Sequence, residues 1–173
     1  TSLVINNASC TTNNIGPVMA VLNEKFGIEK AMMTTVHGYT ADQNLQDGPH
    51  KDLRRARAAA ENIVPTTTGA AIAVSEVIPA VLGIFDGLSL RVPVPTVSVS
   101  DMTVLLKKNV TKEEINKALV EASKTERFKG VLTTTTEQLV SSDFIGNTHS
   151  AIVDLNLTNV VGGNLLKVVA WYD

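Results

Sequence analysis

Only one cysteine stands among the 173 residues. That excludes an internal disulfide and any zinc site built on several thiolates, and a lone thiol fits a reducing, cytoplasmic compartment. Positive charge is not in excess either. Fifteen Lys and Arg against 17 Asp and Glu leave a formal net charge of −2. Such a chain has no bulk basic field to hold nucleic acid or an anionic membrane surface. No apolar run approaches the ~18 residues of a membrane span. The sequence holds no G-x-G-x-x-G and no G-x-x-x-x-G-K-[ST], hence no recognisable nucleotide-binding loop. It has no metal-ligand cluster and no basic-then-apolar secretory signal.

Hydrophobic residues make up 44% of the chain and charged ones 18%. That composition belongs to a globular domain with a real core, not to a disordered chain, and the length suits one domain. The chain opens on Thr1-Ser2-Leu3-Val4-Ile5 and closes on Leu165-Leu166-Lys167-Val168-Val169-Ala170-Trp171-Tyr172-Asp173. Both read as strands already under way, without Met at the start or a polar tail at the end. The expectation is a piece of a longer protein.

Apolar residues 3–5 predict a short strand. The polar run Asn6-Asn7-Ala8-Ser9-Cys10-Thr11-Thr12-Asn13-Asn14 is rich in N-cap types. Ile15, Val18, Met19, Leu22 and Phe26 follow at helical spacing, with Pro17 expected in the first turns and Gly27 as the stop. Cys10 therefore falls at or next to a helix N-terminus. Residues 31–39 alternate as a strand, with Ala31, Met33, Thr35, His37 and Tyr39 on one face. Residues 40–62 are polar and lack periodicity. So long a loop in a compact domain is functional or lies at an interface. Thr66-Thr67-Thr68-Gly69 leads into a helix over 70–81 that Pro79 ends or kinks. Residues 88–108 read as two strands or one bent strand around Pro93 and Pro95. Thr111 and Glu114 form a capping box before Ile115, Ala118, Leu119 and Ala122. Residues 152–157 and 165–172 are strands, joined through Gly162-Gly163-Asn164. Consecutive strands late in the chain predict α+β with an antiparallel or mixed sheet.

Cys10 is the first candidate for chemistry. A thiolate is the nucleophile, and a helix N-terminus favours it and any anionic intermediate beside it. A lone Cys is otherwise a small core residue, but Ser9, Thr11, Thr12 and Asn13 are polar flanks for a core position. His37 is its natural partner, with His50 and His149 as rivals. Arg54, Arg55, Arg57 and Arg91 suit phosphate, which guanidinium meets bidentately, although the loop arginines equally suit a solvated face. Thr66-Thr67-Thr68-Gly69 before a helix resembles an anion nest. The residues alone point to a thiol enzyme acting on a phosphorylated or carboxylated substrate.

Several segments then form one series: Ala8-Ser9-Cys10-Thr11-Thr12-Asn13, Thr35-Val36-His37-Gly38-Tyr39-Thr40, Asp52-Leu53-Arg54-Arg55-Ala56-Arg57-Ala58-Ala59, Thr68-Gly69-Ala70-Ala71, Arg91-Val92-Pro93, Leu139-Val140-Ser141-Ser142-Asp143-Phe144, His149-Ser150 and Ala170-Trp171-Tyr172-Asp173. In this order, over almost the whole chain, they resemble the phosphorylating glyceraldehyde-3-phosphate dehydrogenases. The resemblance implies that residues 1–173 are the catalytic domain of such an enzyme. Its N-terminal Rossmann domain and C-terminal helix would lie outside this chain. It implies an α+β fold, a largely antiparallel mixed sheet with helices packed on one face and homotetramer contacts on the other. The loop over about 39–62 resembles the family's S-loop, which lines a neighbouring subunit's cofactor site.

The resemblance also implies roles. Cys10 would form a hemithioacetal with the aldehyde, and His37 would activate the thiol and act as base during hydride transfer to NAD. Inorganic phosphate would then attack the thioester. Thr40 and Arg91 would hold the substrate's own phosphate; Ser9, Thr11, Arg55, Thr68 and Gly69 would form the attacking-phosphate site. Cofactor and metal ligands are expected nowhere in this chain. Asn14 and Ile72 stand where the family often has Cys and Lys, and Gly48-Pro49 where Leu-Pro is common. Keeping the proline leans towards NAD, with NADP left open. Erythrose-4-phosphate dehydrogenases share nearly all these motifs. A self-associating module without turnover of its own is the alternative from another class.

Overall fold

The computed structural model describes residues 2–173; Thr1, the first residue of the expected opening strand, lies outside them. Helix α1 spans Cys10–Phe26. Ser9 caps it, its hydroxyl accepting from the Thr12 amide at 3.1 Å, as the N-cap pattern requires. Gly27 ends it with φ 70°, its N–H bonded to the Asn23 carbonyl at 3.0 Å. Ile15, Val18, Met19 and Leu22 are fully buried, the face that the spacing predicts. Pro17 sits in the helix interior and not in its first turns. It removes one i→i−4 bond, and the helix runs on through it.

The strands are β1 (Ile28–Gly38), β2 (Val64–Thr66), β3 (Phe85–Val92), β4 (Ser98–Leu106), β5 (Leu132–Thr135), β6 (Ala151–Asp154), β7 (Asn159–Val161) and β8 (Leu165–Tyr172). They form one sheet in the order β2-β3-β1-β4-β8-β6-β5, with β7 paired to β8 off that path. The pairs β1–β3 and β5–β6 are parallel and the others antiparallel. The expected α+β class with a largely antiparallel mixed sheet is the one observed.

Helices α2 (Ala70–Val77) and α3 (Lys112–Ser123) join α1 on one face. Val74, Ile115 and Leu119 from them share a single core with Met33, Met102, Val104, Leu106, Leu166 and Val168 of the sheet. Each such side chain contributes about 1.5–3 kcal/mol by leaving water. The capping box at Thr111 and Glu114 is formed in both directions. On the opposite face Met32, Leu88 and Leu165 remain exposed. At the β6 edge that face is covered by Phe144, which stacks on Trp171 with centroids 5.1 Å apart. None of the helices is long and apolar enough to cross a membrane.

Several local expectations are corrected. Residues 3–5 form no strand, and Leu3, Val4 and Ile5 are exposed. A strand needs a neighbour, and no described strand pairs with them. The strand expected from residue 31 begins at Ile28, and Gly162-Gly163-Asn164 joins β7 to β8, not β6 to β8. Both glycines there have positive φ, at 62° and 86°, which a tight hairpin demands. Residues 88–108 resolve into two strands on opposite sides of β1, and α2 stops before Pro79. Strands β2 and β5 are too short for the sequence pattern to signal.

Candidate active site

Three apolar rows of the sheet end in chemistry. On the helix-facing side β1 presents Ala31, Met33, Thr35 and His37, and its register sets these opposite Phe85, Gly87, Ser89 and Arg91 of β3. The same parity on β8 runs Leu166, Val168, Ala170 and Tyr172, with Tyr172 opposite Ser98 of β4. The N-termini of α1 and α2 lie over these ends. First-turn amides of a helix have no intrahelical acceptor, so both termini favour anions.

The result is an open cleft of about 470 Å³ whose lining includes Ser9, Cys10, Thr11, His37, Thr68, Gly69 and Arg91. Cys10 is exposed, and its Sγ lies 3.5 Å from His37 Nε2. His37 Nδ1 is 2.7 Å from the Gly38 carbonyl oxygen. The carbonyl calls for Nδ1–H, which leaves the Nε2 lone pair to the thiol, whereas Arg91, a donor only, calls for a lone pair on Nδ1. Arg91 packs against the same Nδ1 and reaches the same carbonyl at 3.5 Å. Burial chiefly holds His37 below its usual value of 6.5; Arg91 pushes the same way, and the bond to Gly38 opposes both. The ring is thus neutral at neutral pH, as a general base must be. Arg91 is itself lowered, first by burial and then by the charge of Arg55.

The site rests on buried hydroxyls. Thr11 Oγ1 and Tyr172 OH are joined at 2.7 Å, and Thr35 and Ser100 at 3.3 Å. The Gly38 amide donates to Ser98 Oγ at 3.3 Å. Tyr172 stands edge-on to the His37 ring, and burial pushes its phenol up to about 12.

A model of the glyceraldehyde 3-phosphate dehydrogenase C-terminal domain matches residues 9–173. The chain belongs to that family. It is 55% identical over 170 residues to a glyceraldehyde-3-phosphate dehydrogenase of Mycolicibacterium smegmatis, covering 98% of this chain and 49% of that protein. It is 56% identical over 171 residues to glyceraldehyde-3-phosphate dehydrogenase 2 of Bacillus subtilis, covering 99% and 50%. The Geobacillus stearothermophilus enzyme is 55% identical over 170 residues, covering 98% and 50%. The chain thus spans about half the length of the curated relatives it matches.

Within this dehydrogenase domain the thiol's partner is His37, and the rival histidines are occupied elsewhere. His50 bonds to Asp52 and Asp42 in its own loop, and His149 Nδ1 lies 3.0 Å from Asn147 Oδ1. Ser9 reaches the cleft, but its hydroxyl is engaged as the α1 cap and with Thr12 Oγ1 at 2.6 Å. Thr40 and Arg55 do not line the cleft. Thr40 donates its amide to Gln43 Oε1 at 3.2 Å. Arg55 donates to Thr66 Oγ1 at 2.7 Å and is paired with Asp42. Its charge still reaches Arg91. Among the described residues no group of three or more His, Cys, Asp or Glu is placed to hold a metal ion. Tyr172 is a site residue that the residue-type signals do not single out. Its position on the buried parity of the last strand is the signal that finds it.

Proposed function

We propose that this chain is the catalytic half of a phosphorylating glyceraldehyde-3-phosphate dehydrogenase, acting in glycolysis. The observation that carries the reading is the Cys10 Sγ to His37 Nε2 approach of 3.5 Å, at the head of a helix and in one cleft with Arg91. His37 Nε2 takes the thiol proton, and Cys10 Sγ attacks the aldehyde carbon of the triose phosphate. The oxyanion develops beside the first amides of α1, where the helix dipole favours it. The protonated ring then returns its proton to that oxygen. Arg91 holds the substrate's phosphate, with Thr40 brought to it from the loop. Once the hemithioacetal carbon has given up hydride and His37 has taken the hydroxyl proton, Thr68, Gly69, Ser9, Thr11 and Arg55 serve the attacking phosphate, which displaces the Cys10 thiolate from the thioester and leaves as an acyl phosphate.

Exposed Cys10 leaves one side of its sulfur open to a flat ring, which suits a nicotinamide dinucleotide, NAD or NADP. When bound, that group supplies the hydride acceptor. Its holding residues are assigned to polypeptide outside this chain. The exposed sheet face carrying Met32, Leu88 and Leu165 suits the homotetramer of a cytoplasmic parent enzyme.

The test uses the reverse acyl transfer, which needs no hydride. Treated with 1,3-bisphosphoglycerate, the Cys10 sulfur attacks the acyl carbon, the bond to the phosphate oxygen breaks, and inorganic phosphate leaves. Intact-protein mass spectrometry should find one 3-phosphoglyceroyl adduct, absent in Cys10→Ser and slowed in His37→Ala. No adduct, or an adduct that survives Cys10→Ser, overturns the reading.

A further inference from the structure

Asn14 is fully buried on α1, yet it is polar. Its side-chain amide donates to the Ser150 carbonyl at 3.3 Å and to the Trp171 carbonyl at 3.1 Å. Its own Oδ1 is buried and has no partner among the described residues. An orphaned acceptor in a core destabilises by about 1–3 kcal/mol, so a residue kept for stability alone would be apolar there. The two donated bonds are what the side chain does.

Both bonds bear on the site. Trp171 precedes Tyr172, whose hydroxyl holds Thr11 at 2.7 Å. Successive residues at the end of β8 therefore grip α1 at Thr11 and at Asn14, on either side of one helical turn. Ser150, just before β6, adds a third point from a second segment. A helix bonded at one place on its first turn can still slide or rotate. Bonded at two, to a strand and to a second segment, it has one register, and Cys10 stands at its head.

From this clamp we infer that Asn14 is a positioning residue: it fixes the register of α1 on β8 so that Cys10 Sγ meets His37 Nε2. The inference rests on the Cys10–His37 reading above and extends it to a residue that touches neither substrate nor base.

The test is a double-mutant cycle on this chain, read as the rate of Cys10 alkylation by iodoacetamide at pH 7.5, with circular dichroism and thermal melting as folding controls. His37→Ala should slow alkylation at least about tenfold if the ring activates the thiol. Asn14→Ala should slow it about tenfold through misplacement of the sulfur. His37→Ala added to Asn14→Ala should then slow it little further, because the pair is already parted. Asn14→Ser, which keeps one donor, should fall between, and replaces Asn14→Ala if the latter does not fold. Full additivity of the two substitutions, or an Asn14 variant that melts lower but alkylates at the normal rate, overturns the inference while the pair stands. A normal rate in His37→Ala on the native background overturns both.

Discussion

Tyr172→Phe isolates one hydroxyl at the point where the sheet meets α1. The ring stays, with its edge toward His37. What goes is the 2.7 Å bond to Thr11 Oγ1 in a place where Tyr172 is 3% and Thr11 6% exposed. Losing a buried hydrogen bond and stranding the other hydroxyl should destabilise by about 1–3 kcal/mol, or a melting shift of about 3–10 °C for a chain of this size. Replacing both partners, Tyr172→Phe with Thr11→Val, should recover most of that loss. The pH dependence supplies an independent arm. The phenol titrates at about 12 when folded against 10.0 when free. The folded value is the higher one, so this contribution is fully present below pH 10 and is lost as pH rises through 12. Two units correspond to about 2.7 kcal/mol. Guanidinium unfolding of both proteins at pH 8 and pH 11 should therefore find the native chain ahead at pH 8 and the gap closing at pH 11. Equal stability at pH 8 would refute the bonding argument; a gap unchanged by pH would refute the burial argument.

Arg91→Ala should abolish the phosphate-induced NMR shifts of amides around Arg91 and leave those of Thr68 and Gly69, and loss of both sets would contradict two separate phosphate sites. The same substitution should also move the His37 titration upward, yet short of 6.5, because burial remains the larger cause of its lowering; a downward move would contradict the charge argument. Gly38→Ala should cost about 1–3 kcal/mol and slow Cys10 alkylation. A Cβ there would lie 2.8 Å from the Val94 carbonyl oxygen, where the proline-bearing stretch crosses the end of β1. Melting and alkylation like those of the native chain would show that this crossing yields freely.

The site was legible where local signals agree. Ser9 ahead of a helical apolar row fixes the start of α1 and hence the place of Cys10. Alternation from Ala31 puts His37 on the same face as Met33, which is the core side. The family resemblance then ordered the other residues, but it could not say how the loop between β1 and β2 lies. That depends on ion pairs between positions far apart in the loop, Arg55 with Asp42 and Arg57 with Asp47 at 2.9 Å. The first pair and the bond to Thr66 keep Arg55 out of the cleft lining. Strand β2, Val-Pro-Thr, and strand β5, Leu-Thr-Thr-Thr, are shorter than the period that would reveal them. Residues 3–5 show the reverse error. Val4 and Ile5 are β-branched and have the propensity for a strand, and no described strand pairs with them.

The division of exposure across the site follows from this architecture. A nucleophile must be reachable, while a general base gains from being taken out of water. Cys10 meets the first need because it is the first residue of α1, outside the helix's buried face. His37 meets the second because it closes a row that is apolar up to Met33. Between them lies a polar layer that a core tolerates only if its groups are partnered. Thr11 with Tyr172, Thr35 with Ser100, and Ser98 with the Gly38 amide meet that condition. The hydroxyls that satisfy one another also join α1, β1, β4 and β8 at one end. Rigidity is needed at that end, since the sulfur and the ring nitrogen belong to different elements, and this layer together with the Asn14 bonds sets their separation.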